Sequence, residues 1–149
     1  MIAPAVSKFA DFDDINVGFS TSVRHEITSD AVDAFAALSG DVNPIHMDGD
    51  YARGLGFPGR VAHGVLIAAY LSSLFGMNFP GPGCFWAKQS FEWRLPVVIG
   101  DVIEILATVK HKSAGTRTLL MSVEARNQKG QIVMTGEGAV RLLTLSRST

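Results

Sequence analysis

Gly64–Phe75, near the middle of the chain, reads Gly-Val-Leu-Ile-Ala-Ala-Tyr-Leu-Ser-Ser-Leu-Phe and carries no charge on any face. A helix that is apolar nearly all round has to be buried. At ~1.5 Å per residue this one would be about 18 Å long. It is too short for a bilayer, which needs about 20 residues, so no membrane association is expected. Gly76 and Pro80-Gly81-Pro82-Gly83 close it. Beyond them the apolar period switches from about 3.6 to 2. Phe85–Arg94 is one candidate strand. In Val102–Lys110 the odd positions Ile103, Ile105, Ala107 and Val109 are apolar, and in Arg117–Arg126 so are Leu119, Met121, Val123 and Ala125. That alternation marks half-buried antiparallel strands. Ser113-Ala114-Gly115 and Asn127–Gly130 are the turns between them. Gln131–Leu143 is a further strand, with Ile132, Met134, Val140 and Leu142 on one face, and Ser146–Thr149 is expected to fray. One charge-free helix followed by three or four antiparallel strands packs most economically as an α+β body, a curved antiparallel sheet wrapped around a long buried central helix. Such a sheet has an edge to protect, and pairing with a second copy predicts a homodimer.

Ahead of the helix, Met1–Val17 shows no period and is expected to drape over the body. Thr21–Ile27 alternates weakly, as an edge strand does. Ser29 or Asp30 suits a helix N-cap, with Val32, Phe35 and Leu38 on the core side and Gly40 ending the helix. Next comes Gly40-Asp41-Val42-Asn43-Pro44-Ile45-His46, which sets an acid and an imidazole five positions apart. Pro44 fixes its own φ near ~−65° and biases Asn43 toward extended geometry. The segment predicts a rigid loop aiming Asp41 and His46 at one point, with Asn43 able to orient either neighbour through its donors and acceptor. Asp48–Arg53 suits one or two helical turns, and Gly54–Gly59 a loop.

Length suits one domain over 1–149, with a core at about 14–143. A net charge of −1 and the lack of a basic run argue against nucleic acid. The single cysteine, Cys84, allows no internal disulfide and fits a reducing compartment. No secretory signal is read at the N-terminus, so the expected location is the cytoplasm. The histidine spacing does not suggest a metal site, and Cys84 lacks partners for one.

Phe35, Leu38, Ser39, Gly40, Asp41, Asn43, Pro44, Ile45, His46 and Ala52 resemble the motif of the MaoC-like, (R)-specific enoyl-CoA hydratases of the hot-dog fold. His63-Gly64 and the later strands match that family in order and length, from roughly Asp14 to Leu143. The resemblance implies a hot-dog fold whose catalytic motif lies on an additional helix and loop overhanging the sheet. It implies hydro-lyase chemistry: water adds to a trans-2-enoyl-CoA, giving the (R)-3-hydroxyacyl-CoA, reversibly. It further implies an acyl-CoA substrate, no cofactor, no metal, and a dimer.

For such chemistry Asp41 and His46 would hold one water between them. Gly64 N–H, a free donor at the positive end of the central helix, would bind the thioester oxygen. Ser72, eight residues on, is by resemblance a contact near the dyad. It equally suits a bond back to the Ala68 carbonyl. His63 suits a structural or loop-bonding role better than proton transfer. Phe57, Met77, Trp86 and Trp93 suit core or tunnel wall, and Lys88, Arg94 and Lys112 solvated surface. Three alternatives stay open: an acyl-carrier-protein dehydratase, a thioesterase and a non-catalytic acyl-thioester-binding scaffold. The absence of Asp and Glu from 64–76 counts against thioesterases and dehydratases that use a carboxylate on that helix.

Overall fold

The computed structural model describes residues 11–144. The expectations for Met1–Ala10 and Ser146–Thr149 lie outside them. Strand β1 (Ser20–Glu26) leads into helix α1 (Ser29–Ser39), then the short helices α2 (Pro44–Met47) and α3 (Gly49–Gly54). Helix α4 (Gly64–Ser73) runs on as one π-helical turn, Leu74–Asn78. Strands β2 (Cys84–Gln89), β3 (Glu92–Trp93), β4 (Val102–Ser113), β5 (Thr118–Arg126) and β6 (Ile132–Leu142) complete the chain. The strands form one antiparallel sheet in the order β1-β4-β5-β6-β2, and β3 also pairs with β6. Register shifts with an extra residue in β2, β4 and β6 bend the strands, as bulges do, and the sheet curves around α4. This is the expected hot-dog architecture.

The alternation read in β4 and β5 sorts as expected. Ile103, Ile105, Ala107, Val109, Leu119 and Ala125 are fully buried and meet Leu66, Ile67 and Leu71 of α4 in one core. Each leucine, isoleucine or valine among them contributes about 1.5–3 kcal/mol over an exposed one. The lead-in contributes too: Asp11 caps the 3-10 turn Phe12–Asp14, and Phe12 and Ile15 enter the core. Lys112, expected at the surface, turns its Nζ onto the Ile15 carbonyl (2.5 Å) and over the Phe12 ring.

Several expectations are corrected. Thr28, not Ser29 or Asp30, caps α1 by accepting from the Ala31 N–H. Leu38 is 85% exposed, and Ala36 takes the core position one turn from Val32. Phe85–Arg94 is two strands, parted where Ser90 N–H turns to the Glu137 carbonyl (2.8 Å). The first hairpin turn is 114–117. The central helix is not buried all round: Val65 is 56% exposed, and Ala69, Ser72 and Ser73 share that side.

His25 of β1 stacks on Tyr70 of α4, ring centroids 4.0 Å apart and planes 13° apart. Burial holds the imidazole below its ordinary value of 6.5. The folded chain therefore binds fewer protons at this site than the unfolded chain, and stability falls with pH in the window below about 6.5. Thermal melts should show a lower Tm at acid pH than at neutrality, and His25→Phe should flatten that slope. An unchanged slope would mean the stack does not couple protonation to folding.

Candidate active site

Gly40 ends α1 in the left-handed region, at φ 77°, which glycine adopts without a Cβ penalty. The Asp41 N–H then donates to Ser39 Oγ (3.2 Å). Asp41 Oδ1 accepts from the Asn43 N–H (3.2 Å). Asn43 Oδ1 accepts from the Ile45 N–H (3.2 Å) and caps α2, with Pro44 in its first turn, where a missing N–H costs nothing. The second half of the expected rigid loop is therefore a single turn of helix, and His46 rides on it. Asn43 acts through the main chain. Its N–H holds the Asp41 carboxylate, and its cap and carbonyl (His46 N–H to Asn43 O, 2.8 Å) start the turn that carries the imidazole.

The segment Arg60–His63 fixes His46 from the other side. His46 Nδ1 lies 2.7 Å from the Val61 carbonyl. A carbonyl only accepts, so this partner assigns the hydrogen to Nδ1 and leaves a lone pair on Nε2. The Val61 N–H donates to the Ile45 carbonyl (3.0 Å). Arg60 Nε donates to the His46 carbonyl (2.5 Å), and Arg60 Nη2 pairs with Asp33 on α1. Nothing in the local sequence signals these ties, which span 14 and 27 positions.

Three ionisable side chains meet here. His46 Nε2 lies 3.8 Å from Asp41 Oδ2, and His63 Nε2 lies 3.9 Å from the same oxygen. Neither distance is a direct hydrogen bond. The first suits two acceptors bridged by one water. The Asp41 side chain is 52% exposed and that of His46 14%, whereas His63 is 3% exposed. The two imidazoles stack, centroids 3.8 Å apart and planes 27° apart. The local motif signals the Asp41–His46 pair, and the fold adds His63 to it, with the titratable atoms of all three within 4.8 Å of one another. His63 Nε2 donates to the Asp41 carbonyl (2.9 Å) and has no lone pair for an ion held by Asp41 and His46, so the cluster suits proton handling by that pair better than shared coordination of an ion.

Gly64 opens α4 after His63, which supplies no side-chain cap. Its N–H meets no acceptor among the described residues. A Cβ built at Gly64 would overlap the Trp93 indole, nearest at Nε1, with Cε2 at 2.7 Å and Cδ1 at 2.9 Å. Both atoms that flank Nε1 lie barely farther from this Cβ than Nε1 does, so the ring lies face-on over the glycine. Trp93, expected as core or wall, is thus the wall at Gly64, with Phe91 behind it (5.7 Å). Ser72 lies on the exposed side of α4 and makes no hydrogen bond to Asp41, His46 or the Ala68 carbonyl, so the contact expected near the dyad is not made within the chain. Arg94, expected at the surface, pairs with Glu92 (2.6 Å). A cavity of about 810 Å³, lined by Phe19, Phe79, Arg117 and Leu142, shares no residue with the trio.

The chain is similar to known proteins in sequence and in fold. The MaoC like domain model matches residues 12–130. An (R)-specific enoyl-CoA hydratase of Rhodospirillum rubrum is 41% identical over 98 residues, which cover 66% of this chain and 68% of that protein. One from Aeromonas caviae is 34% identical over 130 residues, 86% of this chain and 96% of that protein. The solved structure of the (R)-hydratase from A. caviae involved in PHA biosynthesis superposes with a TM-score of 0.84 at 32% identity, covering 87% of this chain and 98% of that one.

Proposed function

Because the chain belongs to the MaoC-like domain family, we propose that it adds water to trans-2-enoyl-CoA thioesters to give (R)-3-hydroxyacyl-CoA, and catalyses the reverse. It is an enzyme of the hydratase and dehydratase class, a hydro-lyase. The observation that carries the finer assignment is the pair of acceptors 3.8 Å apart on Asp41 and His46, beside the unpartnered Gly64 N–H.

One water donates to Asp41 Oδ2 and to His46 Nε2. As its oxygen attacks C3, the imidazole takes one proton, and the C2–C3 π electrons move toward the thioester carbonyl. The Gly64 N–H holds the oxygen on which that charge develops, with the start of α4 contributing its positive end. The imidazolium then gives its proton to C2 on the same face, so the addition is syn and the histidine ends neutral. Asp41 orients the water and faces the imidazolium while it exists. Positioned acid–base catalysis of this kind contributes roughly 10²–10⁴-fold.

Loss of enoyl-thioester absorbance from crotonyl-CoA, followed by chiral analysis of the product, tests the proposal. The (R) alcohol supports it. The (S) alcohol, or binding with no loss of absorbance, overturns it, the second outcome in favour of a scaffold. A carrier-protein substrate is less favoured, since the relatives named for CoA that span most of both chains are 33% and 34% identical, whereas the carrier-protein dehydratase of similar span is 26% identical. Thioester hydrolysis lacks its carboxylate on α4. A homodimer is also proposed, supported by the exposed side of α4 (Val65, Ala69, Ser72) and the outer edge of β2. Light scattering at the mass of one chain would refute it.

A further inference from the structure

We propose that His63 is a positioning residue for the Asp41–His46 pair, acting through two separable contacts: an N–H that pins the Asp41 main chain and a ring face that backs His46. The inference rests on the hydration chemistry above.

His63 is the one buried polar or charged side chain among the described residues, 3% exposed. A buried polar group destabilises a fold unless its hydrogen bonds are made, and only half of this one is satisfied. Nε2 lies 2.9 Å from the Asp41 carbonyl. Nδ1 is buried with no partner among the described residues. A phenylalanine of similar shape would leave no side-chain nitrogen unpaired and would give up only the partner of the Asp41 carbonyl, so packing alone gives no reason for an imidazole here.

The contacts show what the imidazole does. A carbonyl only accepts, so Nε2 carries the hydrogen and Nδ1 is bare. That bond holds the Asp41 carbonyl, while Ser39 Oγ holds the Asp41 N–H from the other side (3.2 Å). With the main chain fixed at both ends and Oδ1 taken by the Asn43 N–H, Oδ2 is left facing His46. The second contact is the stack on His46 at 3.8 Å. Phe35 packs against His63 at 4.9 Å, so the His46 ring rests on a backed surface and cannot tilt that way when it takes a proton. His63 is not itself a proton carrier: its Nε2–H is committed to a carbonyl, and no donor reaches its Nδ1.

Two substitutions separate the contacts. His63→Phe keeps a ring face and removes the N–H. His63→Gln keeps a donor at the reach of Nε2 and removes the ring. Each should lower kcat for crotonyl-CoA hydration about 10- to 100-fold, the scale of a small misplacement at a reacting centre, with KM changed by less than about 3-fold. His63→Ala should lose more than either. The Tm of the His63→Phe protein should stay within a few degrees of wild type, since removal of the buried unpaired nitrogen offsets the lost partner of the Asp41 carbonyl. A His63→Phe enzyme with wild-type kcat overturns the proposal, as do losses that fall on KM or follow Tm. Nitrogen NMR of the wild-type rings provides a readout without turnover: His63 should be protonated at Nε2 and bare at Nδ1, and the opposite tautomer overturns the assignment even where the variants fail to fold. Failure of the hydration chemistry itself would appear in the wild-type assay, failure of the His63 role only in these measurements.

Discussion

Asp41→Asn should lower kcat by about 10²–10⁴-fold and leave the fold intact, and His46→Asn should do the same. Each substitution is chosen for what it keeps. Asparagine at 41 preserves an oxygen that accepts from the Asn43 N–H, as Asp41 Oδ1 does at 3.2 Å, and gives up only the charge and one acceptor. Asparagine at 46 places an amide donor near the Nδ1 position, so the bond to the Val61 carbonyl survives, while nothing remains where Nε2 faced Asp41. His46→Ala, the blunter choice, would strand that carbonyl and mix a stability loss of about 1–3 kcal/mol into the result. Tm should therefore stay within about 3 °C for both asparagine variants, on a scale of roughly 2–4 °C per kcal/mol at this chain length. The double variant should be little slower than the worse single one, because both groups act on the same water and such effects are not additive. Near-wild-type turnover in either single variant would break the assignment of the pair.

The regions of the fold that were legible are those where a long period meets a large interface. β4 and β5 alternate over nine or more residues, and their apolar faces lie on one core. α4 was legible as a helix from its lack of charge. Its exposed side was not, because Val65 and Ala69 are as apolar as Ile67, and only packing decides which of them the sheet covers. Leu38 shows the same ambiguity. Steps of three and four residues both continue a helical stripe, and the small Ala36 lies flush where the larger Leu38 was expected. Thr28, Ser29 and Asp30 can all cap a helix, so the boundary was open by one residue. α2 carried its signal in Asn43-Pro44, a cap followed by a first-turn proline, but one turn is too short for any period to show. In the candidate site, Gly40 to His46 is a local motif and reads locally. The stack of His63 on His46, the Arg60 tie to His46 and the Trp93 wall over Gly64 join residues 14 to 29 positions apart through the body of the protein, and no spacing encodes them.

That wall decides how the role of the Gly64 amide has to be tested. Gly64→Pro removes the donor, yet any Cβ at 64 also meets the Trp93 ring, so a loss of rate in that single variant has two causes. Overpacking of this kind costs about 1–3 kcal/mol, and Gly64→Ala alone should lower Tm and turnover together. The clean comparison is made in a Trp93→Ala background, where the ring is gone. There Gly64→Ala and Gly64→Pro both add a Cβ, and they differ in the N–H. Proline is sterically acceptable at this position: residue 64 opens α4, where proline is favoured, and His63 already has the extended geometry (φ −60°, ψ 130°) that a following proline requires. The Trp93→Ala/Gly64→Ala protein should recover Tm relative to Gly64→Ala and keep turnover near that of Trp93→Ala. The Trp93→Ala/Gly64→Pro protein should match it in Tm and be slower in kcat by about 10²–10³-fold, the effect of losing one donor to a developing oxyanion. Equal rates for alanine and proline at 64 would remove the amide from the mechanism. The glycine would then be required only because the face of Trp93 leaves no room for a side chain.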